Sequence, residues 1–281
     1  MSPLVVALIA TAAVAHATWN VALKRSGASG TGLLWLSFLV SVVVFAPFGI
    51  VALAQSGADL WGWAGFAAVS GVLQVAYFLL LQHAYRVGDV SVVYPLARGS
   101  GPLISVVLAI VLLHEHPSVL GLIGALVLVA GVMVIGFAGD GRANRAGVLY
   151  GLGVGVAIAV YTLWDSNAVL GGRMPPVGLY FGTTLVQAVL LAPSALRGRG
   201  LATTARRHWP TILIVGVLSP LAYILILVAV QHAPVSLVAP AREVSVVLVG
   251  LAGWLIFREP HPVQRLIGAA VVLLGVALLV S

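Results

Sequence analysis

Ten apolar stretches follow one another along this chain, each about as long as the 20 or so residues a helix needs to cross a bilayer. They run Pro3–Leu23, Gly32–Ala54, Gly62–Ala84, Val90–Leu113, Val119–Gly136, Ala146–Leu170, Val177–Pro193, Thr211–Val230, Val235–Phe257 and Pro262–Leu279. The joints between them are short and carry turn residues, as in Gly27-Ala28-Ser29-Gly30 and Gly171-Gly172-Arg173-Met174-Pro175-Pro176. None is long enough to hold a soluble domain. The runs do not alternate apolar with polar residues, which excludes the strands of a membrane barrel. Only 7% of the residues are charged and 61% are hydrophobic, against about 25% charged in a soluble domain. The fold class expected is an all-α integral membrane protein of ten transmembrane helices.

The net charge of +7 sits in the joints, where it signals orientation to lipid headgroups rather than binding to nucleic acid. Lys24, Arg25, Arg86, Arg142, Arg145, Arg197, Arg199, Arg206, Arg207, Arg258 and Arg265 all fall on odd-numbered joints, and only Arg173 falls on an even one. The odd joints are therefore expected in the cytoplasm, with both termini outside. Ala15-His16-Ala17 fits a signal-peptide cleavage site, but no basic residue precedes it, so the segment is expected to stay as the first span. A single lysine among 14 basic residues points to a GC-rich bacterial genome, and so to a bacterial cytoplasmic (inner) membrane. The absence of cysteine excludes disulfides, thiol catalysis and thiolate metal sites.

The chain also repeats itself. At an offset of 145, Trp19-Asn20 falls on Trp164-Asp165, Gly71-Val72-Leu73 on Gly216-Val217-Leu218, and Ser91 and Pro95 on Ser236 and Pro240. One residue is then lost. At an offset of 144, Arg98 meets Arg242, Glu115 meets Glu259, and Leu122-Ile123-Gly124-Ala125 meets Leu266-Ile267-Gly268-Ala269. The expected units are residues 1–140 and 141–281, each of five spans. An odd number of spans makes the second unit enter the membrane upside down relative to the first. Inverted repeats of this kind place substrate near the bilayer midplane.

With the Trp-Asn and Trp-Asp pairs, the Ser-x-x-x-Pro openings of the fourth and ninth spans, and the acidic residues closing them, the chain resembles the drug/metabolite transporter superfamily, specifically its EamA-type ten-helix branch. The resemblance covers both halves. It implies a secondary carrier that moves small metabolites, often outward, by alternating access. Tyr94-Pro95-Leu96-Ala97-Arg98-Gly99 also resembles a branch associated with phosphonate utilisation. Paired arginines are not general to the superfamily, so their role must come from physics.

A charge inside the bilayer is costly unless it is paired or hydrated, which makes Arg98, Arg242 and Glu243 the leading site candidates. Arg98 lies eight residues into its span, roughly 12 Å at 1.5 Å per residue, too deep to snorkel. It shares a helical face with Tyr94 and Ser105, and Pro95 with Gly99–Pro102 predicts a local break there. A guanidinium so placed either clamps a carboxylate, phosphonate or phosphate, or pairs with a carboxylate of the protein or caps helix carbonyls. Arg242 and Glu243 are neighbours about 100° apart on a helix, so they are not expected to face one partner. Glu243 either receives a substrate ammonium, carries a coupling proton, or neutralises an arginine. His16 is the other coupling candidate, with packing as the blander alternative.

Trp19, Asn20, Gln74, Tyr77, Tyr161, Trp164 and Asp165 are expected around a cavity between spans one, three, four, six, eight and nine. For Asp165, near the end of its span, an interfacial position is the competing reading; for the Trp and Tyr residues the membrane interface competes equally, and for Asn20 a helix–helix hydrogen bond. Gly147, Gly151 and Gly155 recur every four residues, the pattern of close helix packing. His114-Glu115-His116 does not put its imidazoles on one helix face, and no metal or other cofactor is expected. No nucleotide-binding motif accompanies Gly151-x-Gly153, which excludes an ATP-driven pump. The seven acidic residues form no cluster, which argues against an intramembrane enzyme on a lipid-linked substrate. A bare scaffold would not need buried arginines. The expected function is export of small amino-acid-like or amphiphilic metabolites, with phosphonate or organic-anion uptake as the alternative. The partners expected are that substrate and the lipid bilayer, with proton coupling or exchange open, no nucleic acid, and a monomer compatible with the plan.

Overall fold

The computed structural model describes residues 1–27, 30–137, 144–198, 200–258 and 261–280. Glu259, Arg142, Arg199 and Asp140, which entered the sequence argument, lie outside them. Ten helices are long and apolar enough to span a membrane, and the described residues contain no strand. They are α1 (Pro3–Ser26), α2 (Thr31–Ser56), α3 (Leu60–Val87), α4 (Val90–Leu112), α5 (Val119–Gly136), α6 (Arg145–Val169), α7 (Pro176–Arg197) and α8 (Leu201–Val230); α9 (Val235–Ala241) with α10 (Val244–Phe257) makes the ninth span, and α11 (Pro262–Val280) the tenth. A single 3₁₀ turn, Leu170–Gly172, follows α6.

Local chemistry sets where these helices start and stop. Asp59, Ser118 and Asn144 sit at N-caps, their side chains accepting from the amides of Gly62 (2.7 Å), Gly121 (3.0 Å) and Gly147 (2.6 Å). Gly27 and Gly57 end α1 and α2 in the left-handed conformation, at φ 60° and 64°. The fourth and ninth spans stop alike: His114 and Arg258, equivalent at the 144 offset, both hold φ 54°.

The strongest packing joins one half to the other: α4 to α6, α1 to α8, α2 to α7, α3 to α6, and α5 to α11. The last pair meets backbone to backbone. A Cβ on Gly131 would lie 2.8 Å from the Gly268 carbonyl, and one on Gly124 would lie 2.9 Å from that of Gly275. The glycine face expected on α6 is present, with Gly147, Gly151 and Gly155 against Gly88, Leu96 and Ser100.

Two expectations about the fourth and ninth spans need correction. The break foreseen around Pro95 and Gly99–Pro102 does not occur, and α4 runs unbroken through both prolines. Its glycines serve close approach instead: Gly99 faces Met133 of α5 and Gly101 faces Ile158 of α6. The irregularity falls in the ninth span. There Glu243 N donates to Pro240 O (2.9 Å) and Val246 N to Glu243 O (2.8 Å), the i→i−3 bonds of a 3₁₀ turn. A 3₁₀ turn of three residues rises about 6 Å, as four α-helical residues do. The residue missing between Pro240 and Arg242 is thereby absorbed.

Candidate functional site

A cavity of about 460 Å³ lies among α1, α2, α3, α4, α6, α7, α8 and the start of α10. Its lining descends from Leu23, Leu34, Tyr85 and Tyr94, near the odd-joint ends of their helices, to Gln187, Ala222 and Tyr223 at mid-span. Towards the even joints the same helices close on a packed core that includes Val169, Met174, Leu179, Leu227 and Val235. Polar contacts join the helices on that side. The Glu115 carboxylate accepts from the amides of Val235 (2.7 Å) and Ser236 (2.9 Å), and Gln231 Nε2 donates to Val169 O (3.1 Å).

At mid-depth the cavity wall carries two guanidiniums. Arg98 Nε is 2.9 Å from Glu243 Oε2, a close ion pair although the N–H is not aligned on the oxygen. Arg242 Nε lies 3.3 Å from the other oxygen, Oε1. These neighbours in sequence pair through their side chains, contrary to expectation. A 3₁₀ turn sets adjacent residues about 120° apart, further than a regular helix does, so it is the length of the Arg242 side chain that brings its guanidinium back to Glu243. Arg242 Nη1 also donates to Thr162 Oγ1 (3.1 Å), while its Nη2 is buried without a hydrogen-bond partner. Two cations share one carboxylate, and the excess positive charge borders the cavity. Glu243 itself is 1% exposed, sealed behind the arginines and absent from the cavity lining.

A second charged group stands apart. Asp165 is 1% exposed, which removes the interfacial placement weighed from sequence. Its Oδ2 accepts from Gln74 Nε2 (2.9 Å) and Tyr223 Oη (2.7 Å), and its Oδ1 is buried with no donor. Gln187 Nε2 in turn donates to Gln74 Oε1 (2.9 Å). A chain of rings walls the space between the two charged groups: Tyr77 on Tyr161 (5.4 Å), Tyr161 on Tyr223 (6.1 Å) and Tyr223 on Tyr180 (5.3 Å).

Of the residues named from sequence, Arg98, Arg242, Tyr94, Trp19, Asn20, Tyr77, Tyr161, Gln74 and His16 line the cavity. Asn20 Nδ2 donates to the His16 carbonyl (2.7 Å), and the His16 ring meets Trp19 edge-on at 5.1 Å. Trp164 does not line it. Its indole donates to the Phe66 carbonyl (3.1 Å) and packs on the Phe66 ring at 5.2 Å, fixing α6 to α3. Ser105 is also turned away and donates to Gly101 O (2.9 Å). Missed from sequence were Tyr85, Tyr180, Gln187, Ser219 and Tyr223, and with them the contribution of α2 and α7. The repeat itself was an available signal, because lining residues pair at the 145 offset: His16 with Tyr161, Gln74 with Ser219, Tyr77 with Ala222, Phe78 with Tyr223.

Residues 3–137 and 145–281 each match the EamA-like transporter family. Among solved structures, one crystal structure overlays with a TM-score of 0.79 at 19% identity, covering 98% of this chain and 95% of its own. That identity speaks for the fold alone. No curated protein matches the chain.

Proposed function

The chain belongs to the EamA-like transporter family, whose members are transporters rather than enzymes, and from that premise we propose a secondary carrier for small amphiphilic metabolites bearing an anionic group, working by alternating access between two five-span units, residues 1–140 and 141–281. The observation that carries the reading is the Arg98–Glu243–Arg242 cluster. Two guanidiniums with one carboxylate leave a positive charge beside a cavity in a low-dielectric surround. Burying such a charge costs several kcal/mol, which an entering carboxylate offsets. The tyrosine wall offers π faces and hydroxyls to an apolar or aromatic body. An amino-acid-like compound combines both features.

The cavity faces the basic odd joints, the cytoplasmic side under the positive-inside rule, which puts both termini outside. In a bacterial inner membrane that is the side from which an exporter loads, and export is the direction we propose. The same cluster also suits the two charges of a phosphonate, the second reading.

The test is counterflow in proteoliposomes, with radiolabelled L-phenylalanine as the probe and methylphosphonate as the competitor. Replacing Arg98 removes the excess charge while Glu243 keeps Arg242. Loss of one charge-assisted contact worth about 1.5–3 kcal/mol lowers affinity roughly 10- to 150-fold. Wild-type counterflow by Arg98→Ala would show the arginine to be purely structural and would end this reading.

A further inference from the structure

The carboxylate without a cation is the feature the cluster above leaves unused. Resting on the carrier reading, we propose that Asp165 is the proton site of the transport cycle, and that its proton competes with the ammonium group of a zwitterionic substrate.

Three candidates for a proton site border the cavity or its wall. Glu243 holds a guanidinium on each oxygen, at 2.9 and 3.3 Å, so a proton there would forfeit two ion pairs. His16 shares the cavity with both guanidiniums, and a proton on it would add a third positive charge to the same space. Asp165 has neither obstacle. The groups around it are Ser70 and Gln74 of α3, Tyr161 on its own helix, Tyr180 of α7 and Tyr223 of α8. None is a cation. The nearest guanidinium on the ninth span, Arg242, is turned to Thr162, one helical turn earlier on α6, and to Glu243.

The two carboxylate oxygens are unequal. Oδ2 is satisfied by Gln74 and Tyr223, whereas Oδ1 is buried without a donor. An ionised carboxylate out of water and without a counter-cation is expensive. A hydronium delivering its proton to Oδ1, with water leaving, removes the charge and the unmet acceptor together. An ammonium reaching the cavity wall at Gln74 and Tyr223 removes the same cost electrostatically. Only one of the two is needed at a time. Proton and zwitterion therefore exclude each other, which is the logic of exchange. A substrate would then lie across the cavity, its carboxylate at Arg98 and Arg242 and its ammonium towards Asp165.

Infrared difference spectroscopy of the reconstituted protein, between acidic and alkaline buffer, reads this directly. The wild type should show the carbonyl band of a protonated carboxylic acid, lost in Asp165→Asn and kept in Arg98→Ala. Adding L-phenylalanine at acidic pH should deplete the band in the wild type but not in Arg98→Ala. Adding 3-phenylpropionate, which lacks the ammonium, should leave it intact. A band that survives Asp165→Asn overturns the assignment, and depletion by both compounds overturns the competition. If the band is present in the wild type and lost in Asp165→Asn, but neither compound binds or shows counterflow, the substrate reading and the competition fail while the proton site stands. Tyr223→Phe guards against misfolding of Asp165→Asn: removing the hydroxyl from Oδ2 must shift the band, and an unmoved band also overturns the assignment.

Discussion

Glu115 joins the fourth span to the ninth on the even-joint side of the molecule, and under the proposed alternating access removing it should open that side by a calculable amount. Its two oxygens take the first amides of α9 at 2.7 and 2.9 Å. That helix has no side-chain cap of its own, because Pro234 stands at the N-cap. Each bond to a charged acceptor is worth about 1.5–3 kcal/mol, but Glu115 is only partly buried and water replaces part of the loss. Taking one bond as the net effect, about 2 kcal/mol, Glu115→Ala raises the open population ~30-fold. The chain has no cysteine, so a single introduced thiol reports cleanly. Leu227 is 2% exposed in the core between cavity and even-joint face. In proteoliposomes, Leu227→Cys should react with a membrane-impermeant maleimide ~30-fold faster when Glu115→Ala is added, and by an intermediate factor with Glu115→Gln, which keeps one acceptor. Labelling that changes less than about threefold, in protein that still elutes as a single species, would mean that Glu115 is no latch.

Other consequences are testable in the same preparations. Glu243→Gln leaves two guanidiniums uncompensated and should cost about 3–5 kcal/mol in denaturant unfolding, part of it recovered by adding Arg98→Met; strict additivity would contradict the shared-carboxylate arrangement. Gly131→Val drives a side chain into the Gly268 carbonyl and the Val272 amide, and should cost about 1–3 kcal/mol of stability in denaturant unfolding. Asp89 caps α4, with its carboxyl held below the ordinary 3.8 by hydrogen bonds from the Ser91 hydroxyl and amide. A depressed carboxyl contributes stability above its unfolded value and loses it as pH falls through the folded one. The melting difference between wild type and Asp89→Ala should therefore be flat through neutral pH and close only below 3.8.

The ten spans were legible because bilayer thickness fixes their length, and the repeat was legible because most of it keeps one offset. The arginines were legible as charges where charge is expensive. Their mutual arrangement was not. Two prolines at equivalent places, Pro95 and Pro240, sit in one helix that stays regular and one that tightens, so proline alone does not tell the two apart. The single residue lost between Pro240 and Arg242 does, since equal height with one residue fewer demands a steeper rise. Trp164 misled because a tryptophan in a membrane helix satisfies cavity, interface and interhelical roles equally well until its N–H finds an acceptor. Tyr180 and Gln187 were invisible for the opposite reason: α7 resembles an ordinary lipid-facing span until α2, α3 and α8 close on it.

The glycine seam between α5 and α11 has a property that neither charged cluster shares. Exchanging the halves at the 144 offset sends the Gly131–Gly268 contact onto Gly275–Gly124, which is the seam's other contact. The seam is its own mirror image. Any motion in which the two halves trade places can pivot on it without separating a single backbone contact, as a wheel turns on a fixed axle. The Glu115 clasp has no such symmetry, and under the alternating access proposed above it would be undone and remade in every turnover.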